Sequence, residues 1–209
     1  MRTNRVSSYG VHPGVAMVQG WIASLKEKSG RTLEEWIRFI RREGPADLKR
    51  RGKWLKEQHG LGTVTASWLA ERADEGRMGI GEEDPRVYLE NAVRYVEEMY
   101  PAARAALRPL HDGLIGLARE LGPDIRICPC ETIVPIYRRH VIAQIRPATR
   151  TRIDFGLALG DTPARGALID TGGFAKKDRI THRIAVSSEA DINAELRRWL
   201  KAAYDRNAG

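Results

Sequence analysis

Cysteine is nearly absent. Cys128 and Cys130 are the only two in 209 residues, and at that separation they cannot form an ordinary structural bridge. This excludes a disulfide-stapled secreted scaffold and predicts a reducing compartment. Long apolar runs are missing as well: nothing approaches the roughly 20 residues that span a bilayer, and Met1 to Gly10 is polar. The chain is therefore expected to be cytoplasmic, with no membrane partner. Catalytic signatures are also lacking. Neither GxSxG nor HExxH occurs, no paired-carboxylate motif sits on a recognisable scaffold, and Thr171, Gly172, Gly173 followed by Lys176 and Lys177 lack the spacing of a nucleotide-binding P-loop. The five histidines, at 12, 59, 111, 140 and 182, show no metal-type spacing, so no metal set, cofactor or catalytic residue is predicted. The balance leans away from an enzyme, although an active site assembled from distant residues would leave no such trace.

What is present is the composition of an ordinary globular chain, 42% hydrophobic and 30% charged, long enough for two small domains. The net charge of +8 favours acidic partners, and its excess is concentrated: residues 126–183 carry 11 basic and 5 acidic side chains.

Pro13 suits a first helical turn, and Val15, Val18, Ile22 and Leu25 fall on one face of a helix that Gly30 ends. Thr32 with Glu35 is a capping-box signature for a second helix, with Leu33, Trp36, Ile37 and Ile40 inward. Residues 48–58 read as a third, strongly basic helix, 59–62 as a tight turn, and Thr63 as the cap of a fourth helix carrying Ala66, Leu69, Ala70 and Ala73. Trp21, Trp36, Trp54 and Trp68 fall one to a helix, the pattern of a shared aromatic core. Asp84 and Pro85 open a new helix with Tyr88, Ala92, Tyr95, Val96 and Met99 as its stripe; Pro101 breaks it, and a further helix kinked at Pro109 carries Leu107, Leu110, Leu114, Leu117 and Leu121.

The period then changes. Residues 125–130, 137–146, 150–159 and 180–187 alternate in twos and read as strands, followed by a last helix with Ile192, Leu196, Trp199, Leu200 and Ala203 inward. The predicted fold class is α+β: a small N-terminal helical unit, then a mainly antiparallel sheet packed on helices. The expected boundaries are a flexible N-terminus over 1–10, a four-helix domain over 11–76, a linker over 77–84 and an α+β domain over 85–206.

The stretch VHPGVAMVQGWIASLKEKSGRTLEEW, with the later WLKEQHGLGT, resembles a short bacterial helical domain of unknown function. CPCETIVPIYRRHVIAQIRPATRTRIDFGLAL with ITHRIAVSS resembles a second such domain often found behind it. The resemblance implies a two-domain bacterial protein and carries over no catalytic or ligand residue. More remotely, the second part is similar to small α/β proteins that include a frataxin-like iron chaperone. Iron handling there implies an acidic surface, whereas this sheet is basic.

The strand pair around Pro147, Ala148 and Thr149 is the most informative feature. A three-residue loop there would set Arg146 opposite Arg150, Gln144 opposite Arg152 and Ile142 opposite Asp154. Val141, Ala143 and Ile145 would then face the helices with Ile153, Phe155 and Leu157, leaving the arginines on the outer face. Guanidinium forks suit phosphate or carboxylate, so Arg146, Arg150, Arg152, Gln144, His140 and Arg183 form the expected anion-binding set, with Thr181 extending the patch. The plain alternative is a solvated face with Asp154 as internal partner.

A second candidate is the run His59, Gly60, Leu61, Gly62, Thr63 between two helices, which resembles a helix-hairpin-helix element. Gly60, Gly62 and Thr63 would offer backbone amides to a phosphate, with Lys53 and Lys56 adding attraction beside Lys49, Arg50 and Arg51. A steric turn between packed helices is the plain alternative. Cys128 and Cys130, two apart, would share one strand face, and His182, in line with Ile180, Ile184 and Val186, reads as a satisfied core histidine. Three functions follow as expectations: a non-enzymatic module binding nucleic acid or another polyanion through the basic sheet face; a site for an anionic small molecule lined by arginine; and a metal-handling protein using the two cysteines.

Overall fold

In the computed structural model residues 9–74 and 83–208 are described, and the chain divides into two compact units: Pro13–Tyr88, and residues 9–12 together with 89–208. The expected linker over 77–84 and flexible N-terminus over 1–10 fall mostly outside the described residues. Among the described residues no helix is long and apolar enough to cross a membrane.

The helical unit contains α1 (Pro13–Ser29), α2 (Leu33–Glu43), α3 (Leu48–His59) and α4 (Thr63–Arg72). Its boundaries follow from local chemistry. Gly30 takes a left-handed φ of 77° behind α1, where a side chain would be strained. The Thr32 hydroxyl accepts from the Glu35 amide at 3.2 Å while the Glu35 carboxylate accepts from the Thr32 amide at 2.7 Å, which completes the capping box before α2. The Asp47 carboxylate accepts from the Arg50 amide at 2.8 Å and starts α3. Leu25, Leu33, Trp36, Ile40, Leu55, Leu61, Ala66, Leu69 and Ala70 form the core. Phe39 stacks on Trp54 at 5.5 Å, and the ring of His59 lies edge-on to Trp54 at 4.4 Å, so these aromatics pack on each other rather than present a platform.

One member of the basic run on α3 departs from the sequence reading. Arg51 is buried at 9% exposure, and its guanidinium donates to the carbonyls of Pro45 at 3.0 Å, Ala70 at 2.8 Å and Ala46 at 2.9 Å. It is a structural tie between the turn before α3 and the end of α4, unavailable to an outside anion.

The sheet unit packs the part of α5 (Pro85–Met99) from Leu89 onward, α6 (Arg108–Arg119) and α7 (Ala194–Asp205) with a six-stranded antiparallel sheet: β1 (Arg126–Ile127), β2 (Val134–Tyr137), β3 (Val141–Pro147), β4 (Ile153–Leu157), β5 (Ile169–Asp170) and β6 (His182–Val186). The strand order is β1-β2-β3-β4-β6-β5, so β6 inserts between β4 and β5. The core joins Tyr95, Val96, Met99, Leu110, Leu114, Leu117, Leu196, Trp199 and Leu200 from the helices to Ile136, Ala143, Ile145, Ile153, Phe155, Leu157, Ile184 and Val186 from the sheet. The α+β class and its antiparallel sheet are as expected.

Several expected elements differ. The helix expected to kink at Pro109 is two elements, a 3-10 helix over Ala102–Leu107 and α6, because Pro109 sits in the first turn of α6, where its missing amide costs no hydrogen bond. The strand expected over 137–146 is the end of β2, a tight turn at Arg138, Arg139 and His140 closed by the Arg138 amide on the His140 carbonyl at 2.9 Å, and then β3. Proline in β2 hid that strand, because Pro135 reads as a strand breaker. The strand expected over 125–130 shrinks to Arg126–Ile127, since Pro129 cannot donate to a ladder. The hairpin register shifts too: Arg146 faces Asp154, Gln144 faces Gly156 and Pro147 faces Ile153, with a longer turn over 148–152 in which the Ala148 amide donates to the Arg152 carbonyl at 3.0 Å. The shift is even-numbered, so the apolar and polar faces survive it. It removes the expected juxtaposition of Arg146 and Arg150 and sets Asp154 across the ladder from Arg146.

A bulge at the start of β3 changes one more side chain. Ile136 pairs with Ala143 and Tyr137 with Val141, which leaves Ile142 without a partner across β2. Ile142 is fully buried in the core, and Val141, expected inward, lines the outer face.

Candidate functional site

The outer face of the sheet is concave. A cleft of about 590 Å³ is floored by Pro135, Tyr137, Gln144, Arg146, Asp154, Gly156 and Arg183, with Asp178, Arg179 and Ile180 along one side and His12 and Cys130 along another. It is the polar face that the two-residue period predicted, turned away from the helices.

Register decides its electrostatics. Asp154, between the two strands that carry Arg146 and Arg183, accepts from Arg183 Nη1 at 3.1 Å and lies 2.9 Å from Arg152 Nε. Two of the expected anion ligands, Arg152 and Arg183, are therefore partly neutralised by one carboxylate. Arg146 is exposed and, among the described residues, makes no hydrogen bond or ion pair; the Gln144 amide beside it is likewise unengaged. The remaining expected ligands do not reach the cleft: His140 and Arg150 are exposed on the two hairpin turns and are not among its lining residues. Thr181, expected outward, is buried, its hydroxyl accepting from the Leu159 amide at 3.2 Å and meeting His182 Nδ1 at 2.8 Å. His182 Nε2 reaches the Thr162 carbonyl at 2.8 Å, so both ring nitrogens are satisfied in the core, as its sequence position implied.

Gly156 makes the floor. A Cβ at this position would stand 2.7 Å from Ile180 Cγ2 and 2.9 Å from Gln144 Cγ, closer than side chains approach. Glycine lets Gln144 and Ile180 lie across β4 from opposite sides. Gly156→Ala is expected to displace Gln144 and to cost about 1–2 kcal/mol of stability, read as a lower thermal midpoint. An unchanged midpoint would mean that both neighbours swing aside freely.

Sequence reasoning missed three contributors. His12 arrives from the N-terminal segment, which runs beside β1 with the Gly10 amide donating to the Ile127 carbonyl at 2.9 Å. Its Nε2 meets Tyr137 Oη at 3.0 Å, a contact across 125 positions that no local pattern announces. Burial, aided by the Arg126 cation, holds the His12 ring below the ordinary histidine pKa, and burial raises the Tyr137 phenol, so this pair is neutral around pH 7. Arg179 donates through Nε to the Val141 carbonyl at 3.0 Å and through Nη2 to Asn207 Oδ1, which fixes the rim of the cleft to the bulged start of β3.

The two cysteines part company. Cys128 is buried, its thiol directed to the Val11 carbonyl at 3.6 Å and its pKa pushed up by burial to about 12, which makes it inert as a thiolate. Cys130 lines the cleft. Among the described residues no group of three or more His, Cys, Asp or Glu side chains converges as a metal set would.

In the helical unit, Gly60 adopts a left-handed φ of 66° behind α3, and Gly62 precedes α4 without a side-chain cap. Lys53 and Lys56 line a separate groove with Lys49, Glu57 and Glu71, which Gly60, Gly62 and Thr63 do not line, and Lys53 lies 3.7 Å from Glu57. The expected phosphate contact is thus divided between two places, one of them balanced by acids.

Comparison with known proteins returns families rather than functions. Residues 18–75 match the model of a domain of unknown function, DUF4287, which covers most of the helical unit. No curated protein and no solved structure is matched. Residues 96–207, more than half of the chain, match a second domain of unknown function, DUF5655, and the protein belongs to that family.

Proposed function

We propose that the sheet unit binds an anionic small molecule, a carboxylate or a phosphate, in the cleft over β2, β3, β4 and β6. The observation that carries the reading is Arg146: a guanidinium on a central strand, without a partner among the described residues, beside the Gln144 amide, likewise unengaged among them, and the floor left open at Gly156. A charge-assisted fork on a rigid strand is the arrangement that orients a planar or tetrahedral anion. The polyanion expectation has less support in this register, because a nucleic-acid backbone follows a row of cations. Here Arg150 sits on a turn, Arg152 and Arg183 share Asp154, and the row is broken.

The test is calorimetric titration of wild type and Arg146→Gln with inorganic phosphate and citrate, and with labelled DNA and RNA across a salt series. Saturable binding of a small anion, weakened about tenfold in the variant, is the expected result. Folding should be unaffected, since an exposed side chain without partners contributes within about 0.5 kcal/mol. Steeply salt-dependent nucleic-acid binding lost in the same variant would transfer the cleft to a polyanion. Equal binding in both proteins would remove Arg146 from any site.

A further inference from the structure

The charged residues of the cleft are not equally committed. Asp154 holds Arg183 and Arg152, and Arg179 is bonded to the Val141 carbonyl and to Asn207. Among the described residues two charged side chains of the cleft remain, and their signs differ. Arg146 is one. Asp178, between β5 and β6, is the other: its amide donates to the Gly173 carbonyl at 2.8 Å, and among the described residues its carboxylate has neither a hydrogen bond nor an ion pair. A pure anion would match the first and be repelled by the second. A ligand that also bears a cation satisfies both, and a site whose unmet charges are complementary to one molecule selects it against the singly charged analogues.

We propose that the ligand is a zwitterion, an aliphatic amine that carries a carboxylate or phosphate, with its anionic end on Arg146 and Gln144 and its ammonium on Asp178. The inference rests on the reading of the cleft as an anion site and names the class of molecule it takes. The charges are also spaced. Arg179, the neighbour of Asp178, docks on Val141 at the start of β3, whereas Arg146 lies towards the other end of that strand, so the two side chains enter the cleft from separate ends. That separation favours an ω-amino acid or a similarly extended molecule over an α-amino acid, whose two charges are adjacent. Val141, Ile180 and Pro135 line the cleft as well and provide apolar surface for a methylene chain.

The experiment titrates the full chain with ε-aminocaproate, caproate and hexylamine, which share one carbon chain and differ only in their charged ends. In wild type, ε-aminocaproate is expected to bind about fivefold more tightly than caproate, the gain of one partly exposed ion pair. Asp178→Asn should bring the two within about twofold of each other by weakening ε-aminocaproate alone. Arg146→Gln should weaken both carboxylates and leave hexylamine unchanged. A wild type that binds caproate as tightly as ε-aminocaproate, or a preference that persists in Asp178→Asn, overturns the zwitterion; in either case caproate binding that depends on Arg146 leaves the anion site standing. If neither carboxylate nor inorganic phosphate binds, the anion site and the zwitterion fall together.

Discussion

Replacing Arg51 with methionine is expected to destabilise the helical unit by about 3 kcal/mol or more. Methionine keeps the length and the packing of the stem but leaves the carbonyls of Pro45, Ala46 and Ala70 without their donors. Each buried polar group that loses its partner costs about 1–3 kcal/mol, and the bond to Ala70 is fully buried. Arg51→Lys should fail nearly as badly despite preserving charge, because an ammonium is a point donor and cannot span three acceptors that a planar fork reaches at once. Tryptophan fluorescence in a urea titration reads this unit selectively, since Trp21, Trp36, Trp54 and Trp68 lie in it and only Trp199 lies outside. An unchanged midpoint in Arg51→Met would show that water replaces the guanidinium and that the tie is dispensable.

Acid should weaken the sheet unit, with one buried histidine a main contributor. His111 on α6 is fully buried, its Nδ1 is 2.9 Å from Tyr100 Oη, and its Nε2 has no hydrogen-bond partner among the described residues. Burial disfavours the imidazolium and lowers the pKa from 6.5 to about 4. Because the folded pKa lies below the unfolded one, the unfolded chain binds more protons between the two values, and stability falls as pH drops through that window. At 1.36 kcal/mol per pH unit the loss reaches about 3 kcal/mol by pH 4, a large fraction of the 5–15 kcal/mol typical of a domain. Above pH 6.5 the residue contributes no pH dependence.

The double variant Tyr100→Phe with His111→Leu removes both partners together, which is close to neutral when shape is kept, and should flatten the pH profile. Tyr100→Phe alone should destabilise at neutral pH, because it leaves both imidazole nitrogens unpaired. Hydrogen exchange across residues 108–119 at pH 7, 5.5 and 4.5 measures this. A slope that persists in the double variant would assign the acid sensitivity elsewhere.

Both predictions concern side chains that look unremarkable in one dimension. Arg51 belongs to a run of lysines and arginines that reads as a solvated helix face, and its burial depends on where the end of α4 and the turn before α3 come to rest. His111 occupies an ordinary inward position of α6, and only the absence of a second acceptor or donor in the packed core makes it a liability. Local signals elsewhere were sufficient. The Thr32 and Glu35 box, the Asp84 and Pro85 start of α5 and the glycine after α1 each mark a boundary that the fold respects, because each acts through backbone groups within a few residues.

The outer face of the sheet shows where such reasoning stops. Alternation in twos placed Gln144, Arg146, Arg152 and Arg183 opposite the apolar core, since the pleat allows no other arrangement. It could not count the residues in a turn that lacks a glycine signature, so Arg150 was expected across from Arg146 where Asp154 stands. It could not foresee the bulge that moves Val141 outward and Ile142 inward, nor the arrival of His12 over Tyr137 from the far end of the chain.

What the sequence by itself determined is the α+β class, the positions of the helices and the polar character of one sheet face, because these depend on periodicity and caps that act within a turn or a strand. The tertiary structure alone decided which arginines are spent on Asp154, and that among the described residues neither Arg146 nor Asp178 has an ionic partner in the same cleft. Those outcomes depend on register, loop length and approach between residues far apart in the chain, where a shift of a few positions leaves the pattern of hydrophobicity unchanged and alters every charged pair.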